Sequence, residues 1–192
     1  MIKNLFCLIL LVSTAISYAA NPKDLETLSK INITPPKGLD LSNADLHSYQ
    51  FTPEKTNLQY ANLSHANLSN VKLEKMDLSY ADLSYANLAG AKLTESNLSH
   101  ANLTHANLNG ATLIQANLAN AHLDYATLEK AILAKADLTK ADLTCANLNN
   151  ADLTQANFSE VDISGASFIN TISTTTVLNY NSVISNPIVC KN

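Results

Sequence analysis

The chain has 192 residues and a formal net charge of −4, and all 12 of its basic residues are lysines. This length suits one domain with short flanking segments. Because recognition of phosphate depends on arginine and on a basic surface, we expect no direct nucleic-acid binding.

The first 19 residues have the pattern of a secretory signal peptide. Lys3 precedes an apolar run from Leu5 to Val12, and Ser17 and Ala19 supply the small residues of a cleavage site. The run is too short to span a membrane. We therefore expect cleavage after Ala19 and a periplasmic or secreted protein with no membrane span in the mature chain. The alternative is an N-terminal helix that stays attached.

Residues 20–38 are predicted to form an N-terminal cap. Pro22 begins a stretch in which Leu25 and Leu28 lie three residues apart, which is typical of a short helix ending near Lys30. The sequence Pro35-Pro36 then breaks the pattern. We expect this segment to cover the first end of the repeat that follows.

A five-residue repeat occupies residues 39–170. Leu stands at every fifth position from Leu58 to Leu153, and Ala stands two positions before most of these centres. The same register continues through Phe158, Ile163 and Phe168, and three earlier pentads centre on Leu41, Leu46 and Phe51. The segment from Thr52 to Thr56 shifts the register by two residues.

A period of five fits neither regular helix nor straight strand. Five helical residues advance about 500°, so successive Leu side chains would spiral around every face. In a strand, an odd step alternates between the two sides. A coil of short extended segments with regular corners brings each Leu, and the Ala two residues before it, to the inside. Stacked coils would lie about 4.8 Å apart.

Runs such as ANLSH at 61–65 and ANLTH at 101–105 resemble the repeats of the pentapeptide-repeat family. The resemblance implies an all-β fold, namely a right-handed, four-sided parallel β-helix with four pentads per coil. Residues twenty apart would then stack on one another. Asn or Asp before each central Leu is interpreted as a turn-forming residue rather than a catalytic one. Several family members dimerise through their C-terminal ends, so the resemblance also implies a possible homodimer there.

Residues 171–192 lose the period and are predicted to form a C-terminal cap or tail. Two cysteines remain after signal cleavage, Cys145 and Cys190. In an oxidising compartment they are a candidate disulfide that would fasten the tail to the last coils. Unpaired or intermolecularly paired thiols are the alternative.

Stacking at twenty residues concentrates aromatic and imidazole side chains on two adjoining corners. The candidate surface-binding strip comprises Tyr60, His65, Tyr80, Tyr85, His100, His105, His122 and Tyr125. Of these, His122 is expected on the same side of the coil but at the position before its central Leu. Exposed Tyr and His side chains offer flat stacking surface and hydrogen bonds to a glycan, a peptide or a protein. The competing interpretation is that stacked rings only stabilise the ladder.

No pattern predicts catalytic residues, metal ligands or a cofactor. His65 and His105 would lie two coils, or about 10 Å, apart, too far for one ion. We therefore expect an exported, non-enzymatic structural or binding protein whose partner is a protein or an envelope component. The first alternative is a DNA-mimicking protein that binds topoisomerases, as some members of the resembled family do. The second is a polysaccharide-active enzyme, by analogy with other β-helices.

Overall fold

The computed structural model describes residues 38–53, 56, 58–173 and 190. The predicted signal peptide, the predicted helix from Pro22 to Lys30 and most of the tail at 171–192 lie outside these residues. Within the described ranges, no helix is long and apolar enough to cross a membrane.

A ladder of parallel bridges connects residues twenty positions apart. It runs from the bridge between Asn62 and Asp82 to the bridge between Asp152 and Ile172. Successive bridges begin every five residues, so each coil has four sides. In the part of the chain that the structure describes there is no helix, and every strand is reduced to a single bridge residue between turns. The reason is the period itself: two residues of each pentad form a turn, which leaves three for the side.

The first two bridges show the predicted register shift. Asp40 pairs with Asn62 and Asp45 pairs with Asn67, so these partners are 22 residues apart rather than 20. The two additional residues lie between Phe51 and Leu58, where the pentad pattern is interrupted. Bridges therefore occur on both sides of the interruption, and only the separation of their partners changes.

The interior of the coil is filled by the central Leu and the Ala before it. Leu103 and Ala101 have no exposed surface, and the same holds for most of their equivalents. Burial decreases towards the C-terminal end of the ladder. Leu153 is 2% exposed and Ala156 is 4% exposed, and Phe158 and Phe168 are only partly buried.

Each corner depends on a residue in the left-handed backbone region. This residue lies two positions after the central Leu, and its φ is 59° at His105 and 58° at Tyr125. The Asn or Asp before the central Leu accepts a hydrogen bond from the backbone N–H two residues later. For example, Thr104 N–H donates to Asn102 Oδ1 at 3.1 Å. This bond is the structural role predicted for these side chains.

Candidate binding face between two columns of rings

Two neighbouring corners of the coil carry columns of stacked rings. The first ring column contains Tyr60, Tyr80 and His100, with ring centroids 4.9 and 4.6 Å apart. The second ring column contains His65, Tyr85, His105 and Tyr125, with successive centroids 4.9, 4.8 and 4.9 Å apart. The sequence prediction that these side chains align is confirmed by this geometry.

The rings present their edges to solvent rather than their faces. Neighbouring planes are tilted by at most 17°, so within a column each flat face lies against the next ring. Tyr85 is nevertheless 53% exposed and Tyr80 is 48% exposed. The accessible groups are therefore ring edges, phenol hydroxyls and imidazole nitrogens. The structure thus differs from the expectation of open stacking surface, because the distance between coils is close to the separation of two rings in contact, and each pair of neighbouring rings covers the faces between them.

One side of the coil lies between the two ring columns, and we call it the ring-flanked face. Its bridge residues stack twenty apart: Asn62, Asp82, Asn102, His122, Asp142 and Asp162. Side-chain hydrogen bonds run along it, including Asn102 Nδ2 to Asp82 Oδ1 at 3.1 Å. The eighth residue of the predicted strip, His122, therefore lies on this face and not in a ring column.

The ring-flanked face is acidic. It carries Asp82, Asp124, Asp142 and Asp162. Hydrogen bonds from the side chain and backbone of Ser164 hold the pKa of Asp162 below its usual value despite partial burial. The adjacent Lys140 amine lies 3.7 Å from a carboxylate oxygen of Glu160, so its charge is already compensated.

Three side chains on this face converge in a way that sequence reasoning missed. Ligand-type atoms of His122, Asp124 and Asp142 all lie within 4.8 Å of one another. The sequence predicts no metal ligands here, because the corner histidines His65 and His105 are two coils apart and the acids near the bridge positions are interpreted as turn formers. The available signal was the twenty-residue stacking of His122 under Asp142.

The candidate disulfide lies at the top of the second ring column. Cys145 occupies the corner twenty residues after Tyr125, and its sulfur lies 1.95 Å from that of Cys190. The two Cα atoms are 5.7 Å apart, within the range that a disulfide bridges. The bond thereby holds Cys190 at the corner of Cys145.

The other two corners differ in chemistry. One carries Lys75 and Glu95, which form an ion pair at 3.6 Å. The other carries Asn70, Gly90 and Gly110. Among the described residues, the stacked ring pairs therefore all lie at the corners that border one side.

The repeats match a family model described as "Pentapeptide repeats". It matches in eight copies, over residues 56–95, 96–134, 113–147 and 136–172. The chain belongs to the pentapeptide-repeat family. Pentapeptide-repeat membership implies a right-handed, quadrilateral β-helix, and the four-sided ladder described above agrees with it.

Several solved pentapeptide-repeat structures are similar to this chain. HetL, a protein involved in heterocyst differentiation regulation from Nostoc sp. strain PCC 7120, is 31% identical over 73% of this chain and 83% of its own, with a TM-score of 0.31. A thylakoid-lumen protein of Arabidopsis thaliana, AT2G44920, is 30% identical over 62% of this chain and 72% of its own, with a TM-score of 0.36. A trypsin-treated form of QnrB1, a plasmid-mediated fluoroquinolone resistance protein, is 21% identical over 79% of this chain and 80% of its own, with a TM-score of 0.40.

No curated protein sequence matches the chain significantly. Pentapeptide-repeat proteins are generally non-enzymatic structural or binding proteins, but the family does not assign a partner.

Proposed function

We propose that this pentapeptide-repeat protein is an exported, non-enzymatic binding protein that presents the ring-flanked face to a protein or an envelope component. The observation that carries the proposal is the restriction of seven stacked rings to the two corners bordering one polar side. Ladder stability alone would not require the rings to share a side, since any corner can stack.

The backbone beneath this face is rigid before any partner arrives. His105 N–H donates to the Asp124 carbonyl at 3.0 Å and Leu103 N–H donates to the His122 carbonyl at 2.6 Å. Each coil repeats these bonds to the next. A preorganised surface loses little entropy on binding. Tyrosine edges and hydroxyls are well suited to such a contact, because they combine apolar area with a hydrogen-bonding group.

The acids of this face support a binding role rather than a catalytic one. Asp82 accepts the Ser84 N–H at 3.0 Å and Asp142 accepts the Thr144 N–H at 2.9 Å. Both carboxylates thus hold turns together.

The test compares binding by two triple variants made with the same new residue. Tyr85→Asn, His105→Asn and Tyr125→Asn together remove three rings, and Asn tolerates the left-handed conformation of the corners. The matched control replaces Lys75, Glu95 and Gln115 with Asn, at one of the two corners that have no stacked rings. We expect only the first variant to lose crosslinked partners from a native envelope extract. Equal capture by both variants would overturn the proposal.

We propose export and a Cys145–Cys190 disulfide as parts of the same function. The experiment is the intact mass of the protein from its native cells, with alkylation before and after reduction. Loss of residues 1–19 and alkylation only after reduction would support both. Retention of Met1 with free thiols would place the protein in a reducing compartment and favour the topoisomerase-binding alternative. Release of reducing ends from cell-wall polysaccharide would instead favour the enzyme alternative.

We also propose a homodimer through the C-terminal end of the ladder. The specific observation is two exposed apolar side chains there, Ile169 at 62% and Ile172 at 59% exposure. Sedimentation of the wild type and an Ile169→Asn, Ile172→Asn variant tests it. We expect a dimer that the two substitutions dissociate, and a wild-type monomer would refute it.

A further inference from the structure

We propose that His122, Asp124 and Asp142 form a binding site for a divalent transition-metal ion of the Zn²⁺ type. Their ligand-type atoms lie within 4.8 Å of one another on the ring-flanked face. The proposal concerns this cluster alone and does not depend on the proposed binding function.

The backbone fixes the relative positions of the three residues on two successive coils. His122 and Asp142 are direct partners in the parallel ladder. Asp142 N–H donates to the Ala121 carbonyl at 2.9 Å, and Leu123 N–H donates to the Asp142 carbonyl at 2.7 Å. His122 therefore lies between two intercoil hydrogen bonds, and a metal ion would need only side-chain adjustment.

Each carboxylate is oriented through one of its oxygens. Asp124 Oδ1 accepts a hydrogen bond from Thr104 Oγ1 at 2.8 Å, and Asp142 Oδ1 accepts one from the Thr144 N–H at 2.9 Å. Such partners are typical of metal-binding carboxylates, because they fix the orientation of the ligand. Across the described ranges, the His122 ring has no hydrogen bond or ion pair that would compete with an ion.

Two residues of one pentad, His122 and Asp124, differ from the residue types found at the same positions in the other pentads of this face. On this face, the bridge residues below and above His122 are Asn or Asp and accept the N–H two residues later. The imidazole of His122 does not make this bond. The residue after the central Leu is Ser or Thr in the other pentads of the face and is an acid at Asp124. Both differences introduce a side chain that can bind a metal ion where the other pentads have a turn-forming or neutral side chain. Local exceptions to an otherwise regular sequence are expected at functional sites.

Charge on the protein does not satisfy the two carboxylates. Among the described residues, no lysine amine lies within ion-pair distance of Asp124 or Asp142. The lysine at the neighbouring corner, Lys140, is paired with Glu160 at 3.7 Å. A divalent cation bound between the two carboxylates would supply the positive charge that the described lysines do not.

The donor set selects the class of ion. One imidazole nitrogen with two carboxylates matches Zn²⁺ and its neighbours, whereas Ca²⁺ requires six to eight oxygen ligands. With bonds of about 2.0–2.2 Å, tetrahedral ligand atoms lie roughly 3.3 Å apart. Since the ligand-type atoms lie within 4.8 Å of one another, each pair has to approach by at most about 1.5 Å, which requires rotation of the side chains only. Three protein ligands leave one position for water or for a group of a partner.

The first experiment is calorimetric titration of tag-free, chelator-treated protein with ZnCl₂ and, separately, with CaCl₂. We expect one Zn²⁺ per chain and no comparable Ca²⁺ binding. His122→Asn introduces the residue found at the equivalent position of the coil below, Asn102, so the variant should fold normally. We expect it to bind Zn²⁺ at least tenfold more weakly than the wild type does. The matched control, His47→Asn, removes an exposed histidine that lies outside both ring columns and should bind Zn²⁺ as the wild type does. Absence of stoichiometric Zn²⁺ binding, or equal binding by His122→Asn, would overturn the proposal.

A second experiment transfers the site to another coil. In the His122→Asn background, Asn62→His and Ser64→Asp place an imidazole and a carboxylate beside Asp82, so that these three residues stand at the positions equivalent to His122, Asp124 and Asp142. We expect this protein to regain one Zn²⁺ per chain. Failure of the transferred site, in a variant whose circular dichroism matches the wild type, would show that the column geometry does not create a site.

Discussion

Replacing His105 by Asn separates the two explanations of the ring columns. His105 is the third of four rings in the second ring column, with centroids 4.8 Å from Tyr85 and 4.9 Å from Tyr125. The substitution removes both contacts and keeps the corner, because Asn already occupies the same left-handed position at Asn120, where φ is 58°.

The expected cost follows from the number of ring contacts. A stacked aromatic pair contributes about 0.5–1.5 kcal/mol beyond the area that it buries. Tyr85 is 53% exposed, so the lower half of that range applies. Two contacts at about 0.5–1 kcal/mol each lower the free energy of unfolding by about 1–2 kcal/mol.

The assay is urea unfolding monitored by circular dichroism. A matched control is made two corners further along the chain. Gln115 lies in a corner with a φ of 56° and has no ring neighbour in the described part of the chain. Gln115→Asn therefore measures the backbone contribution of Asn alone. If the free energies of unfolding of the two variants depend equally on urea concentration, the difference between their midpoints gives the contribution of the ring contacts to stability.

A difference below about 0.3 kcal/mol would refute the stacking argument, because it would be smaller than the weakest measured ring pairs. A double-mutant cycle with Tyr85→Asn gives a second check, since two residues in contact should not have additive effects. A large stability loss together with unchanged partner capture would identify the ring columns as structural only.

Three further outcomes follow from single residues. Leu103→Ala should lower the free energy of unfolding by about 2–5 kcal/mol, measured by denaturant titration, because Leu103 is fully buried; a loss under about 1 kcal/mol would contradict a tightly filled interior. Ser96→Ala should change it by at most about 1 kcal/mol in the same assay, because the buried hydroxyl donates only to the Leu93 carbonyl at 2.7 Å. Burial raises the pKa of Asp77, but hydrogen bonds from Ser79, Gln59 and Asn97 outweigh it and hold the pKa below 3.8. Its stabilising contribution is therefore present above about pH 4 and lost as the pH falls further, so Asp77→Asn should flatten the acid limb of a stability profile, and an unchanged limb would refute this.

The repeat could be predicted from sequence because one physical constraint determines it. A five-residue period of Leu with Ala two positions earlier admits a coil with corners and excludes helix and straight strand. The shift between Phe51 and Leu58 was equally visible, and the structure places two additional residues there. The number of pentads per coil came from the family resemblance, since a spacing of five does not by itself fix how many sides close a coil.

The candidate sites were harder to predict because they depend on orientation around the coil. The alignment of Tyr85 with His105 follows from stacking at twenty residues, whereas the occlusion of ring faces depends on side-chain rotation at each corner. The convergence of Asp124 with His122 and Asp142 combines a turn residue with two bridge residues. A search confined to one position of the pentad does not find such a cluster.

The regular ladder and the disulfide together determine how the protein responds to tension. Coils that are held to their neighbours by the same hydrogen bonds should separate one at a time, and each released coil of twenty residues adds roughly 65 Å of extended chain. The bond between Cys145 and Cys190 closes a loop with a sequence separation of 45, and that length cannot be pulled out while the bond is intact. Reduction would release roughly 150 Å more, so the oxidation state of one cysteine pair sets the maximum extension of the rod.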